Sequence, residues 1–84
     1  QEKKFRVIAR RNKLTGQWAA GLLGKSDVDA YAKDVVAADF EEAGDEDVVR
    51  KVVADLAGKA SADEVRAKMA ELMPVAKAQL MSEI

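Results

Sequence analysis

Residues 45–64 read DEDVVRKVVADLAGKASADE, and this stretch holds one helix, its end and the start of the next. Asp45, Glu46 and Asp47 stand where the positive end of a helix dipole favours carboxylates. Val48, Val49, Val52, Val53 and Leu56 then recur at the three- and four-residue intervals of a single helical face. Gly58 marks the end, and Ser61 with Glu64 forms a capping box that opens a further helix. Two amphipathic helices joined by so short a connection share a core by lying antiparallel.

The same pattern extends in both directions. Downstream, Val65, Met69, Leu72, Ala76 and Leu80 line one side of a helix over about residues 62–82. Pro74 interrupts it, removing a backbone hydrogen bond and clashing with the carbonyl of Ala70, which predicts a kink or a break. Upstream, Ser26 reads as the cap of a helix over about 27–42, with Asp29 as a weak box partner and Val28, Tyr31, Ala32, Val35 and Val36 as its buried face. A first helix over about 2–23 carries Val7, Leu14, Trp18 and Leu22 as an apolar stripe and closes at Gly24. With the third helix over about 45–57 and no strand alternation, residues 1–84 form a single all-α domain. Trp18, Val35, Val36, Val52, Val53 and Leu72 are its expected core. The first helix spans about 33 Å and the second and third about 21 Å each, at 1.5 Å per residue. The expected architecture is therefore a four-helix bundle with a long, partly overhanging first helix. Glu2 to Ile8 make the overhang unless the C-terminal half of the fourth helix folds along them.

Composition narrows the function. A chain of 84 residues buries only roughly 60–65% of its unfolded surface, too little for a deep catalytic cleft. It has no Cys and no His, so thiolate nucleophiles, sulfur metal sites, disulfides and the commonest general base are all missing. The expectation is a protein that is not an enzyme and takes no cofactor and no metal. The longest apolar run, Trp18 to Leu23, is far short of the roughly 20 residues of a membrane span, and no secretory signal precedes it. This places the chain in the cytoplasm, without membrane insertion.

Charge is segregated along the sequence. Residues 1–25 carry net +6, residues 26–47 net −8 and the remainder +1, behind an overall net charge of −1. From Phe5 to Leu23 the basic residues are Arg6, Arg10, Arg11 and Lys13, with no acidic side chain among them. Such an arm could hold phosphates, which makes a nucleic-acid-associated helical protein the alternative reading. A pI near 5.4 and the acidic run argue against it, since both repel a duplex. As a protein-docking helix the arm would use its cations for steering and Phe5 and Ile8 as apolar anchors. The plainest account is internal, with Arg10, Arg11 and Lys13 paired to the Asp39 to Asp47 turn.

Other motifs fall away on inspection. Gly24-Lys25-Ser26 resembles the end of a phosphate loop, but Ala19 stands where the first glycine belongs and no strand precedes it. The run from Asp39 to Asp47 has a calcium-loop start, yet Arg50 occupies the twelfth place, where a bidentate Glu is required. Ser26 lies between Lys25 and Asp27, not in the Asp-Ser-Leu setting of an acyl carrier protein. Met69, Met73 and Met81 at helical spacing read as packing.

Ala9-Arg10-Arg11-Asn12, then Gly16-x-Trp18-Ala19-Ala20, Leu23-Gly24, Asp39-Phe40, Gly44-Asp45-Glu46-Asp47-Val48 and Arg66-Ala67-Lys68-x-Ala70-Glu71-Leu72 resemble the zeta subunit of alpha-proteobacterial F-type ATP synthases. Order and spacing match from about Phe5 to Met81. The resemblance implies a four-helix regulatory subunit, monomeric when free, that inhibits ATP hydrolysis. It implies an N-terminal segment inserted at a catalytic interface between α and β subunits beside the central shaft, with the bundle as a stop. It also implies a cytoplasmic protein that becomes peripheral at the inner membrane when bound to the synthase. The family's inhibitory segment lies mainly upstream of Phe5, and so mostly before Gln1. The partner-binding residues expected within this chain are Lys3, Lys4, Phe5, Arg6, Ile8, Arg10 and Arg11. Pro74 departs from the family pattern.

Overall fold

A computed structural model describes the backbone of residues 2–41 and 45–82 and the side chains of residues 5–37 and 46–82. The described residues form four helices: α1 (Glu2–Leu23), α2 (Val28–Glu41), α3 (Asp45–Leu56) and α4 (Ala62–Ser82). No strand occurs among the described residues. α1 is the central element and packs against α2, α3 and α4.

Local chemistry sets the helix ends. Gly24 adopts φ +69°, so that its N–H reaches the carbonyl of Gly21 at 3.3 Å and that of Lys25 reaches Ala20 at 3.0 Å. This is the Schellman pattern, which returns partners to the last carbonyls of α1. α2 is capped by Asp27, whose Oδ1 accepts the Ala30 N–H at 3.0 Å. The cap is thus one residue later than the Ser26 expected from sequence, because a carboxylate at Asp27 already meets the orphan N–H groups and suits the helix dipole. The box at α4 forms in full: Glu64 N–H donates to Ser61 Oγ at 3.1 Å and Ser61 N–H to Glu64 Oε1 at 3.2 Å.

Pro74 does not break α4, which runs as one helix from Ala62 to Ser82. Residues on both sides of the proline are held by the bundle: Met69 and Ala76 are buried, and Gln79 accepts a hydrogen bond from Arg10 at 3.0 Å. That tertiary packing outweighs the missing backbone bond. The C-terminal half of α4 therefore lies along the first half of α1, and both long helices extend beyond the shorter α2 and α3.

The core is unequal in its materials. α3 contributes Val48, Val49, Val52 and Leu56, α4 contributes Val65 and Met69, and α2 contributes Tyr31 and Val35. Val36 and Leu72, expected in the core, are half-buried, and Trp18 and Val53 pack against its edge. α1 departs most from expectation. Its buried face is Arg11, Asn12, Thr15, Gly16, Ala19 and Ala20, while Val7, Leu14 and Trp18 are half-buried and Leu22 is exposed. A Cβ placed on Gly16 would sit 2.7 Å from Ala32 Cα, so the α1 and α2 backbones approach closely there. Such an approach requires small residues on the contact face, and the bulky ones are turned aside.

Candidate partner-binding end of the bundle

The residues expected to meet a partner occupy the first turns of α1. Lys3 and Lys4 belong to the helix, but their side chains lie outside the described residues. Phe5 is 67% exposed and Arg6 is exposed. Ile8 and Arg10 are half-buried, and Arg10 reaches across to Gln79 Oε1. Arg11 is turned inward, only 3% exposed, and donates from Nε at 3.0 Å and NH2 at 2.9 Å to Asn12 Oδ1. The seven expected residues thus divide by depth: Phe5 and Arg6 face outward while Arg11 belongs to the interior.

That interior end is polar. Thr15 Oγ1 donates to the Arg11 carbonyl at 2.9 Å, and both Asn12 and Thr15 are fully buried. Among the described residues Asn12 Nδ2 has no hydrogen-bond partner, and a buried donor left so costs about 1–3 kcal/mol. Arg11 also lines a cleft of about 290 Å³ with Glu46, Arg66, Met69 and Met73. Across it Arg66 binds Glu46 with Nε at 3.1 Å and NH2 at 2.6 Å. The Glu46 carboxylate, first through its hydrogen bond and then through its charge, holds the Arg66 guanidinium above its ordinary pKa.

Towards the other end, Tyr31 of α2 donates its hydroxyl to Asp55 Oδ2 at 2.9 Å, and Lys51 donates to the same oxygen at 3.0 Å. Burial, and then the Asp55 hydrogen bond, push the Tyr31 phenol well above its usual range. Desolvation pushes Asp55 upward, but the bonds from Lys51 and Tyr31 outweigh it, so its pKa lies below 3.8. Lys25 and Lys51 Nζ lie 5.6 and 5.5 Å from the Tyr31 ring centre, within cation–π range. This cluster ties the connection after α1 to α2 and α3.

Among the described residues no group of three or more His, Cys, Asp or Glu side chains could hold a metal ion, and no described helix is long and apolar enough to cross a membrane. Sequence reasoning did not find Gln79, which ties α4 to Arg10. A glutamine on a half-buried helix face opposite an arginine carries no periodic signal, so only the antiparallel register of α1 and α4 exposes it.

The family model described as ATPase inhibitor subunit zeta matches residues 1–79 of this chain. The chain belongs to that family. A solved structure described as "Solution NMR structure of the protein" is 61% identical, covers 96% of this chain and 98% of its own, and superposes with a TM-score of 0.88. The comparison with curated proteins returned no match. Membership of the zeta family gives the chain the role of an ATPase inhibitor subunit, with an ATP synthase as partner. It also agrees with the blocks of sequence, from Ala9-Arg10-Arg11-Asn12 to Leu72, on which the resemblance rested.

Proposed function

We propose that this chain inhibits ATP hydrolysis by the F-type ATP synthase by lodging its N-terminal segment at a catalytic α/β interface next to the central shaft. The first turns of α1 are the root of that segment, and the bundle is a bulky stop outside the interface. The observation that carries this reading, given the family, is the contrast within α1. Phe5 and Arg6 are exposed at its start, whereas Asn12 to Ala20 include the residues locked into the bundle. A helix held at one end and open at the other can transmit an obstruction to the body behind it. Ordering a segment on binding costs a few kcal/mol, commonly about 2–5 or more, which keeps the inhibitor releasable when rotation is driven the other way.

The partners in this reading are the α, β and central-shaft subunits. The protein is cytoplasmic and monomeric when free, and peripheral at the inner membrane when bound. The test is hydrolysis by the cognate synthase titrated with the full-length chain, and with Phe5→Ala and Arg6→Glu variants. Inhibition that weakens about tenfold, or 1.4 kcal/mol, in each variant supports the reading. A full-length chain that leaves hydrolysis untouched removes it.

A further inference from the structure

The first turns of α1 have little in their own sequence to keep them helical. Val7 and Ile8 are consecutive β-branched residues, whose side chains lose freedom against the preceding turn of a helix. Arg6 and Arg10 stand four apart, a like-charge spacing that destabilises an isolated helix. Phe5 and Arg6 are exposed and gain little from burial. A helix extends from an anchored stretch such as Arg11 to Ala20 with an equilibrium constant of only about 1–1.6 per residue, even for good helix formers. Poorer ones fray unless a neighbour packs along them. Yet α1 is helical from Glu2 onward.

The last turns of α4 supply such a neighbour. Two pairs fix the register: Arg10 donates to Gln79 Oε1 at 3.0 Å, and Lys68 Nζ lies 5.7 Å from the Trp18 ring centre. The antiparallel run therefore sets Ala76, Gln79 and Leu80 along the stretch from about Val7 to Asn12. On α4 these three share one face, with Ala76 fully buried and the other two half-buried. On α1, Val7, Ile8 and Arg10 are half-buried. Gln79 is the polar member of the α4 face, and a hydrogen bond to a charged group is among the stronger kinds. Its carbonyl accepts Ser82 Oγ at 2.9 Å, which closes the last turn around it. Pro74 has no N–H for the Ala70 carbonyl, so the helix beyond it leans on these contacts in return. We propose that Gln79 is a positioning residue for inhibition: with Ala76 and Leu80 it splints the first turns of α1 in helical form in the free protein, so that Phe5 and Arg6 reach the synthase already ordered. This rests on the inhibitor reading and deepens it, since the apparent affinity of a binder falls in proportion to the fraction held in its competent form.

The test uses the full-length chain with Gln79→Leu, which keeps the bulk and removes the acceptor, and Gln79→Glu, which keeps the acceptor. Cα chemical shifts read the helical fraction of residues 5–10, with residues 14–20 as the measure of an intact bundle, and hydrolysis by the cognate synthase reads inhibition. If Gln79→Leu disturbs residues 14–20, Gln79→Asn, whose shorter amide falls short of Arg10, takes its place. Losing a hydrogen bond to a charged group opens the first turns about tenfold more readily. For turns near balance, helical fraction and potency should then fall together, by roughly threefold to fivefold. Gln79→Glu should retain both. Potency lost in Gln79→Leu with the helical fraction unchanged would mean that Gln79 touches the synthase itself. A reduced helical fraction with unchanged potency would mean that inhibition does not depend on a preformed helix, and Gln79→Glu as impaired as Gln79→Leu would mean that the acceptor is not what acts. Each of these overturns the inference and leaves the inhibitor reading intact. A parent that does not inhibit removes both.

Discussion

α1 and α3 both face the same core with opposite materials. α3 enters it with Val48, Val49, Val52 and Leu56, whereas α1 enters it with Asn12, Thr15, Gly16, Ala19 and Ala20. The α3 surface stabilises by removing apolar area from water, at roughly 25 cal/mol per Å². The α1 surface offers little such area and relies on backbone approach and on hydrogen bonds within its polar stretch. One helix is therefore sensitive to lost volume and the other to added volume. That division has a functional side in the inhibitor reading, because a close-packed seam around Gly16 fixes α1 as a rigid post from which its first turns extend.

The largest effect is expected from emptying the α3 side. Leu56 is fully buried, and Leu56→Ala should destabilise the fold by about 3.5 kcal/mol, the middle of the range for buried leucines. For a domain of this size, whose whole stability is of order 4–13 kcal/mol, that is a large share, visible as a clear fall in the urea midpoint. A loss below about 1 kcal/mol would mean that α3 is not held by volume, and the contrast with α1 would fail.

Gly16→Ala asks the reverse question. In an isolated helix this change stabilises by about 1 kcal/mol. Here the new Cβ would stand 2.7 Å from Ala32 Cα and 3.2 Å from Val35 Cγ2, and backbone cannot yield as a side-chain tip can. Overpacking of this kind costs about 3 kcal/mol at its upper range, leaving a net loss of about 2. Thermal unfolding of the variant reads it directly. A neutral or stabilised Gly16→Ala would show that α1 and α2 stand further apart, and that small residues are not what seats α1.

The same contrast explains what sequence alone revealed. The buried Val48, Val49, Val52 and Leu56 of α3 were legible because size and hydrophobicity point to the same face. In α1 they point to different faces. Val7, Leu14, Trp18 and Leu22 form the more hydrophobic stripe, but the closeness of α2 excludes bulk and turns Gly16 and Ala20 inward. Two small residues four apart, with Ala19 between them, were the signal available. Arg11 misled for a related reason: a cation counts as surface in a sequence, yet here Asn12 accepts two of its N–H groups inside the bundle. Phe5 and Arg6 were readable as exposed because they lie beyond the buried stretch. The contact of Arg10 with Gln79 was not, since it depends on α4 remaining one helix through Pro74 and finishing beside the start of α1.

A third kind of contact, neither volume nor close approach, joins α2 to α3 and has the smallest expected effect. Asp55 receives Tyr31 and Lys51 on one oxygen, and its carboxyl pKa is lowered from 3.8 because these bonds outweigh its desolvation. A lowered folded pKa gives a contribution that is fully present above the unfolded value, near 4, and lost as pH falls through the folded one. Lys51→Met removes the bond that lowers the pKa most, so Asp55 should titrate at higher pH and the acid loss of stability should begin earlier. At neutral pH the cost should be only about 0.3–0.5 kcal/mol, as for other exposed pairs one turn apart. Carboxyl NMR titration of Asp55 with urea unfolding at neutral and acid pH measures both. If Asp55 titrates unchanged in Lys51→Met, the link between α2 and α3 is carried by the buried Tyr31 ring rather than by the carboxylate, and α2 joins α3 on the volume side of the comparison.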